Sequence, residues 1–195
     1  MTIDEMKKML EAALKYKRYT HSLAVYDTAR ELAKYHDADL EKVSVAALLH
    51  DCGREIPIKS NLDKAKEVGI TIDFIEANQP ILLHAKLGAY LAKHKYGVTD
   101  EEVLTAIAQH STGAPQMSKT AMIVYLADLL EPSRGFFGID EMRVLAKKDL
   151  EKTMVKAYAL TIKYLLDQNL LIHPDCIYGL NELQVKFKNA AKSLR

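Results

Sequence analysis

The chain has little of what would mark it as disulfide-stapled, membrane-spanning or nucleic-acid-coating. Its 195 residues include two cysteines, Cys52 and Cys176, too few for a disulfide framework. No apolar stretch approaches the ~20 residues that span a bilayer. The opening segment, "MTIDEMKKMLEAALKYKRYTH", carries charge throughout and lacks a signal peptide's apolar centre. The formal net charge is +1, so no basic field is available to hold a nucleic-acid polymer. A nucleotide can still bind in a local basic pocket. Internal repeats, low-complexity tracts and dividing linkers are absent as well. The expectation is one cytoplasmic domain, residues 1–195, with no membrane and no nucleic-acid partner. Oligomeric state stays open, a homodimer included.

What is present is helical. Hydrophobic residues make up 49% and charged residues 27%, an ordinary globular balance. Nearly every segment repeats its apolar residues with helical period, and none alternates as a strand does. The pattern predicts helices over 3–16, 18–36, 40–52, 61–68, 73–78, 81–96, 100–111, 118–131, 139–147, 150–168 and 175–192. Thr99 with Glu102 reads as a capping box, and Gly69 and Gly97 stand just past helix ends. The fold class is all-α, a single irregular bundle of roughly ten helices.

Five of these helices turn an imidazole or a carboxylate toward the core. His21 shares a face with Val25, Thr28 and Leu32, and His50 continues the stripe of Val43, Ala46 and Ala47. His84 lines up with Leu87, Gly88 and Leu91, and His110 lies below Val103, Ala106 and Ile107. Asp128 follows Ala121, Val124 and Tyr125. One such residue is usually a satisfied core histidine. Six metal-ligand donors, the four His with Asp51 and Asp128, are harder to explain singly, because each buried polar group needs its own partner. His36 and His94 also continue apolar stripes, but they stand at helix ends beside solvating residues. Imidazole and carboxylate together suit Fe, Mn, Co, Ni or Zn. The lack of a cysteine pair argues against a structural zinc. Cys52 reads as small buried filler.

The order His21, His50-Asp51, Asp128 resembles that of the HD-domain metal-dependent phosphohydrolases, and His84 with His110 resembles the subset holding two metals. "RYTHSLAVYDTARELA" (18–33), "LLHDCGREIP" (48–57), "PILLHAKLGAYLA" (80–92), "IAQHSTGAPQMSKTAMIVYLADLLEPSRGF" (107–136) and "LIHPD" (171–175) resemble one family within them. These are the bacterial HD-domain hydrolases that split diadenosine tetraphosphate symmetrically (the YqeK-like proteins). The likeness runs from the second helix almost to the C-terminus. Cys52 and Gly53 stand where a bulkier residue is expected, and "PSRG" where the family often has asparagine before the arginine. Both departures bear on substrate fit.

The resemblance implies iron, one or two ions, on His21, His50, Asp51 and Asp128, with Mn, Co, Ni or Zn as substitutes. His84 and His110 would hold a second metal bridged by Asp51, or bind phosphate directly, so that Asp51, His84 and His110 form the catalytic group. Nucleotide contacts would fall on His21 and Asp128, on Arg54, Glu55, Ile56 and Pro57, on His84, Gln109 and His110, and on Arg134. They continue through Leu170, Leu171, Ile172, His173, Pro174 and Asp175. Arg54 and Arg134 can reach back toward a metal-bound phosphate. Arg18, on the face of His21, is placed to support that phosphate or Asp128. Gly113 would let backbone amides approach an anion, and Phe136 and Phe137 would either stack on a base or pack in the core. The implied reaction gives two ADP. The alternatives are an HD phosphohydrolase acting on a nucleoside monophosphate, a deoxynucleotide or a nucleotide of NAD metabolism, or a nucleotide sensor without turnover.

Overall fold

Two helices of the chain are apolar on nearly all sides, and the rest of the fold wraps them. In α3 (Leu40–Leu49), Val43, Ser44, Ala46, Ala47, Leu48 and Leu49 are all buried. In α8 (Lys119–Leu130), the run Ile123 to Ala127 is buried without a break, with Thr120, Ala121 and Leu130. A helix hydrophobic all round belongs inside a protein, and the alanines let neighbouring backbones approach. A computed structural model describes residues 1–193 and has eleven α-helices and no strand among them.

Around this pair stand α2 (Tyr16–Tyr35), which packs on both α3 and α8, and α7 (Glu101–Gln109), which does the same from another side. The helix α6 (Leu83–His94) packs on α7 and on the 3-10 turn Cys52–Glu55 that follows α3. α1 (Ile3–Ala13) lies against α2 and α3. The short α4 (Asn61–Glu67) and α5 (Phe74–Asn78) lead through the 3-10 turn Pro80–Leu82 into α6. α9 (Ile139–Ala146) and the hairpin of α10 (Leu150–Asp167) and α11 (Pro174–Ser193) complete the fold, α10 bridging to α8. One apolar cluster runs from Met6 to Cys176, with a satellite of Ala65, Leu83 and Leu87. Truncating a fully buried member such as Leu48 to alanine costs about 2–5 kcal/mol.

Every predicted helix exists, with ends shifted by a few residues. The N-cap of α7 is Asp100 and not Thr99: the Asp100 side chain accepts from the Glu102 and Val103 amides. Glu102 is thereby released to bond Lys42 and Thr120. Gly69 and Gly97 do sit past helix ends in the left-handed region, at φ 73° and 71°. The largest shift matters for function. α3 stops at Leu49, and His50 and Asp51 lie beyond its last full turn. Ideal-helix spacing therefore does not govern this pair.

Candidate metal centre

Helix ends decide how the histidines present themselves. The last carbonyls of an α-helix have no intrahelical donor, so a side chain beside them can supply one. His50 is the C-cap of α3, and its Nδ1–H donates to the Ala47 carbonyl at 2.8 Å. His110 is the C-cap of α7 and donates in the same way to Ile107 at 2.7 Å. His84, entering α6 from a 3-10 turn, donates to Ile81 at 2.5 Å. A neutral imidazole with its proton on Nδ1 keeps a lone pair on Nε2. His21 reaches that state differently, with Nδ1 3.3 Å from the Glu131 carboxylate. The rings run in series, His21–His50 at 5.3 Å between centroids, His50–His110 at 4.9 Å and His110–His84 at 4.9 Å.

Asp51 divides its oxygens between two sides of this row. Oδ1 lies 3.3 Å from His84 Nε2 and 3.7 Å from His110 Nε2, while Oδ2 lies 3.8 Å from His50 Nε2. Arg54 Nε donates to Oδ1 and Arg18 Nη1 to Oδ2, each at 2.9 Å. Asp128, at the end of α8, puts Oδ1 3.0 Å from His21 Nε2. Arg134 donates to that same oxygen at 2.7 Å and to the Asp128 carbonyl at 3.0 Å.

Burial sharpens the electrostatics. It pushes His50 down to about 4, against the pull of Asp51, and it also lowers His84. Burial opposes ionisation of Asp51, but His50, His110 and His84 outweigh it and hold the carboxyl far below its usual range. Asp128 is held low by His21 in the same way. His21 itself is raised: burial works against its charge, and Asp128 prevails. The interior thus gathers ionised carboxylates and imidazole lone pairs.

With their protons on Nδ1, the neutral rings have none to share at Nε2. His84 Nε2 and His110 Nε2 lie 3.1 Å apart, and with both Nδ1 protons spent on carbonyls this sets lone pair against lone pair. The buried Nε2 atoms of His21 and His50 have no hydrogen-bond partner. His21 Nε2 is close to Asp128 but without hydrogen-bond geometry. Buried acceptors without donors are costly, and a divalent cation relieves them together. Three donor sets in this cluster have ligand atoms within 4.8 Å of one another, namely His21, His50 and Asp51; His50, His110 and Asp128; and Asp51, His84 and His110, while a fourth such set, Asp73, Glu76 and His173, shares no residue with it. The residues fit a metal, and Asp51 belongs to sets on both sides.

The other predicted residues divide. Arg18, Arg54 and Arg134 all reach the cluster, bonded to its carboxylates. Gln109, next to His110, has a buried Oε1 without a partner. Glu55 instead pairs with Lys95 at 2.6 Å. With Ile56 and Pro57 it lines an open groove of about 570 Å³ that no residue of the cluster lines. From the 170–175 stretch, His173 donates through Nε2 to Asp73 Oδ2 at 2.7 Å, Nδ1 being occupied by the Asp175 amide. His36 bonds the Ala146 carbonyl and His94 lies against Tyr90, both outside the cluster.

Two expectations are corrected, and the alternatives for Phe136 and Phe137 are separated. Gly53 has no room for a bulkier residue, since a Cβ there would lie 2.1 Å from the His84 carbonyl. Gly113 faces the Tyr158 hydroxyl, 2.2 Å from its ideal Cβ, so its φ of 67° serves close packing and not an anion. Phe136 packs on the core, while Phe137 is fully exposed. Sequence reasoning missed Glu131, buried and bonded to His21 and Ser133. Its signal was present: it stands three residues after Asp128, on the same helix face.

Comparison with known proteins agrees with this geometry. The model of the HD domain matches residues 18–133. A Bacillus subtilis protein named bis(5'-nucleosyl)-tetraphosphatase, symmetrical, is 34% identical over 94% of this chain and 98% of its own length. The Halalkalibacterium halodurans protein of the same name is 37% identical over 88% and 91%. A crystal structure from Clostridium acetobutylicum, described as a predicted HD superfamily hydrolase involved in NAD metabolism, superposes with a TM-score of 0.91. It is 37% identical, covering 95% of this chain and 98% of that one. No helix among the described residues is long and apolar enough to cross a membrane. With its four imidazoles and two aspartates gathered between α2, α3, α6, α7 and α8, the chain belongs to the HD domain family.

Proposed function

We propose that this chain is a metal-dependent hydrolase that cleaves diadenosine tetraphosphate at its central bridge to give two ADP. The observation carrying the reading is the row of Nε2 lone pairs converging on Asp51, whose two oxygens face different histidines. Full-length similarity to proteins named symmetrical bis(5'-nucleosyl)-tetraphosphatases supports the substrate. The chain acts as one domain, residues 1–195.

His21, His50, Asp51 and Asp128 are assigned to a first metal, read as iron, with Mn, Co, Ni or Zn as substitutes. Such an ion, when bound, polarises a phosphoryl oxygen and lowers the pKa of its water. The protein does the rest. Asp51 is held by Arg18 and Arg54, so its oxygens keep their directions as substrate arrives. His84 and His110 stand on the Oδ1 side of Asp51, where they would hold a second metal or the substrate phosphate. Arg54 and Arg134 have further donors for phosphate oxygens, and a guanidinium suits them bidentately. Gln109 offers its buried carbonyl oxygen to a donor on the nucleotide, and the 170–175 stretch is assigned to the base.

The bond that breaks follows from which phosphates are gripped. A site that grips one nucleoside diphosphate unit through Arg54, Arg134, His84 and His110 would leave the central bridge as the bond to be cut, and the ion held by the ligands would supply the activated water there. Chromatography of early products, with ferrous iron supplied and oxygen excluded, tests this. ADP alone is expected. ATP with AMP overturns the cleavage site, and tight ADP binding without turnover overturns the enzyme.

A further inference from the structure

Glu131 is a buried carboxylate to which the proposed reaction gives no part. It follows α8 directly, and its position is set from several sides. Its amide donates to Ala127 O, and Arg143 of α9 donates to its carbonyl at 3.0 Å and to that of Leu130 at 2.9 Å. Its side chain is 1% exposed. Ser133 donates to it twice, from the amide at 2.7 Å and from the hydroxyl at 2.5 Å, and Arg134 Nε stands 3.6 Å from Oε1. A buried carboxylate needs such donors. Held this way, Glu131 aims Oε1 at His21 Nδ1, 3.3 Å away.

The position of His21 explains why a carboxylate stands there. His50 and His110 are C-caps, beside carbonyls their Nδ1–H groups can use. His21 lies in the body of α2, where each carbonyl already accepts from the amide four residues on. Its Nδ1 proton must find an acceptor on another helix. Without one, the ring is free to put its proton on Nε2 and present no lone pair to a metal.

We propose that Glu131 is a positioning residue of the metal centre, fixing the proton of His21 on Nδ1 and strengthening Nε2 as a ligand. The inference rests on the metal reading above. An anionic acceptor raises ligand basicity more than a carbonyl does, and the loss of such a partner weakens metal affinity about 10- to 100-fold.

The test measures Mn²⁺ affinity of the full chain by chelator competition, beside thermal unfolding of the metal-free protein. Glu131→Gln should raise the Mn²⁺ dissociation constant about 10- to 100-fold, with metal-free unfolding little changed. At saturating Mn²⁺ its KM for the dinucleotide should match the parent, because Glu131 touches no substrate. In a His21→Ala background the same change should cost no further affinity. Affinity within twofold of the parent, or a full additional loss in the double variant, overturns the proposal. If the variants do not fold, ¹⁵N shifts of His21 in the metal-loaded parent decide: a proton on Nδ1 supports it and one on Nε2 overturns it. A parent that takes up no Mn²⁺ overturns the metal reading itself, whereas binding with unaffected Glu131 variants overturns only this proposal.

Discussion

Gly53→Ala is the smallest change that should disable the centre without touching a ligand. Gly53 lies in the 3-10 turn after Asp51, where that turn meets α6 backbone to backbone. The added Cβ would lie 2.1 Å from the His84 carbonyl, 2.7 Å from Gly88 N and 3.1 Å from Gly88 Cα. Carbon contacts settle near about 3.5 Å, so the two segments must part by more than about 1 Å. Overpacking of this kind costs about 1–3 kcal/mol, which for a chain of this length lowers Tm by about 2–12 °C. The displacement also separates Asp51 from His84, and a shift of about 1 Å in a catalytic group can cost about 100-fold in rate. Gly88→Ala, across the same contact, is the control. Its Cβ would meet nothing closer than 3.4 Å, and the helix gains up to about 1 kcal/mol in propensity. Circular-dichroism melts and product chromatography read both variants. Gly53→Ala with the parent's Tm and turnover within twofold refutes the reasoning, as does equal damage from Gly88→Ala.

Asp51→Ala should abolish turnover and most metal retention, while His94→Ala, on an exposed ring, should change neither; full metal occupancy in purified Asp51→Ala protein would refute the ligand set. Both thiols should resist iodoacetamide at pH 8 in the folded protein, since burial raises Cys52 and pushes Cys176 up to about 11; rapid labelling before unfolding would contradict that burial. By linkage, the unfolded chain releases the Cys176 proton above about pH 9 and the folded chain keeps it. Stability should therefore fall as pH rises from there toward the folded value. His173→Ala should lower the urea midpoint by the equivalent of about 1 kcal/mol by freeing the start of α11 from Asp73; an unchanged midpoint would show that the bond contributes nothing.

Helix existence was legible because the apolar period is strong, and the inward histidines followed from the same arithmetic. Partners that depend on tertiary approach were not legible. The spacing of Glu131 from Asp128 hints at the same helix face, but only the packing of α2 on α8 brings His21 beside it. The family pattern pointed to a larger side chain at Gly53, and nothing local announces that α6 lies against it. Thr99 lost its capping role to Asp100, whose carboxylate reaches two amides. Asp73 and His173 stand 100 residues apart, and no local pattern joins them.

The placement of the centre at helix ends has an electrostatic consequence. α3 is capped by His50, α7 by His110, and α8 ends two residues past Asp128, and each helix C-terminus carries about half a negative charge. Three such ends, with two ionised aspartates and Glu131, make a site suited to a cation and hostile to a polyphosphate. A metal reverses part of that balance, and Arg18, Arg54 and Arg134 supply more positive charge at its edge. Before substrate arrives, those guanidiniums are bonded to Asp51 and Asp128, which keeps the carboxylates ionised and directed. If Asp51 and Asp128 held a metal, these ion pairs would weaken and the arginine donors would be freer for phosphate. Metal loading and anion binding should thus be coupled: ADP should bind more tightly to Mn²⁺-loaded protein than to metal-free protein. By reciprocity, ADP should tighten Mn²⁺ binding by the same factor. Calorimetric titrations in both orders measure the two factors, and ADP affinity independent of metal would refute the coupling.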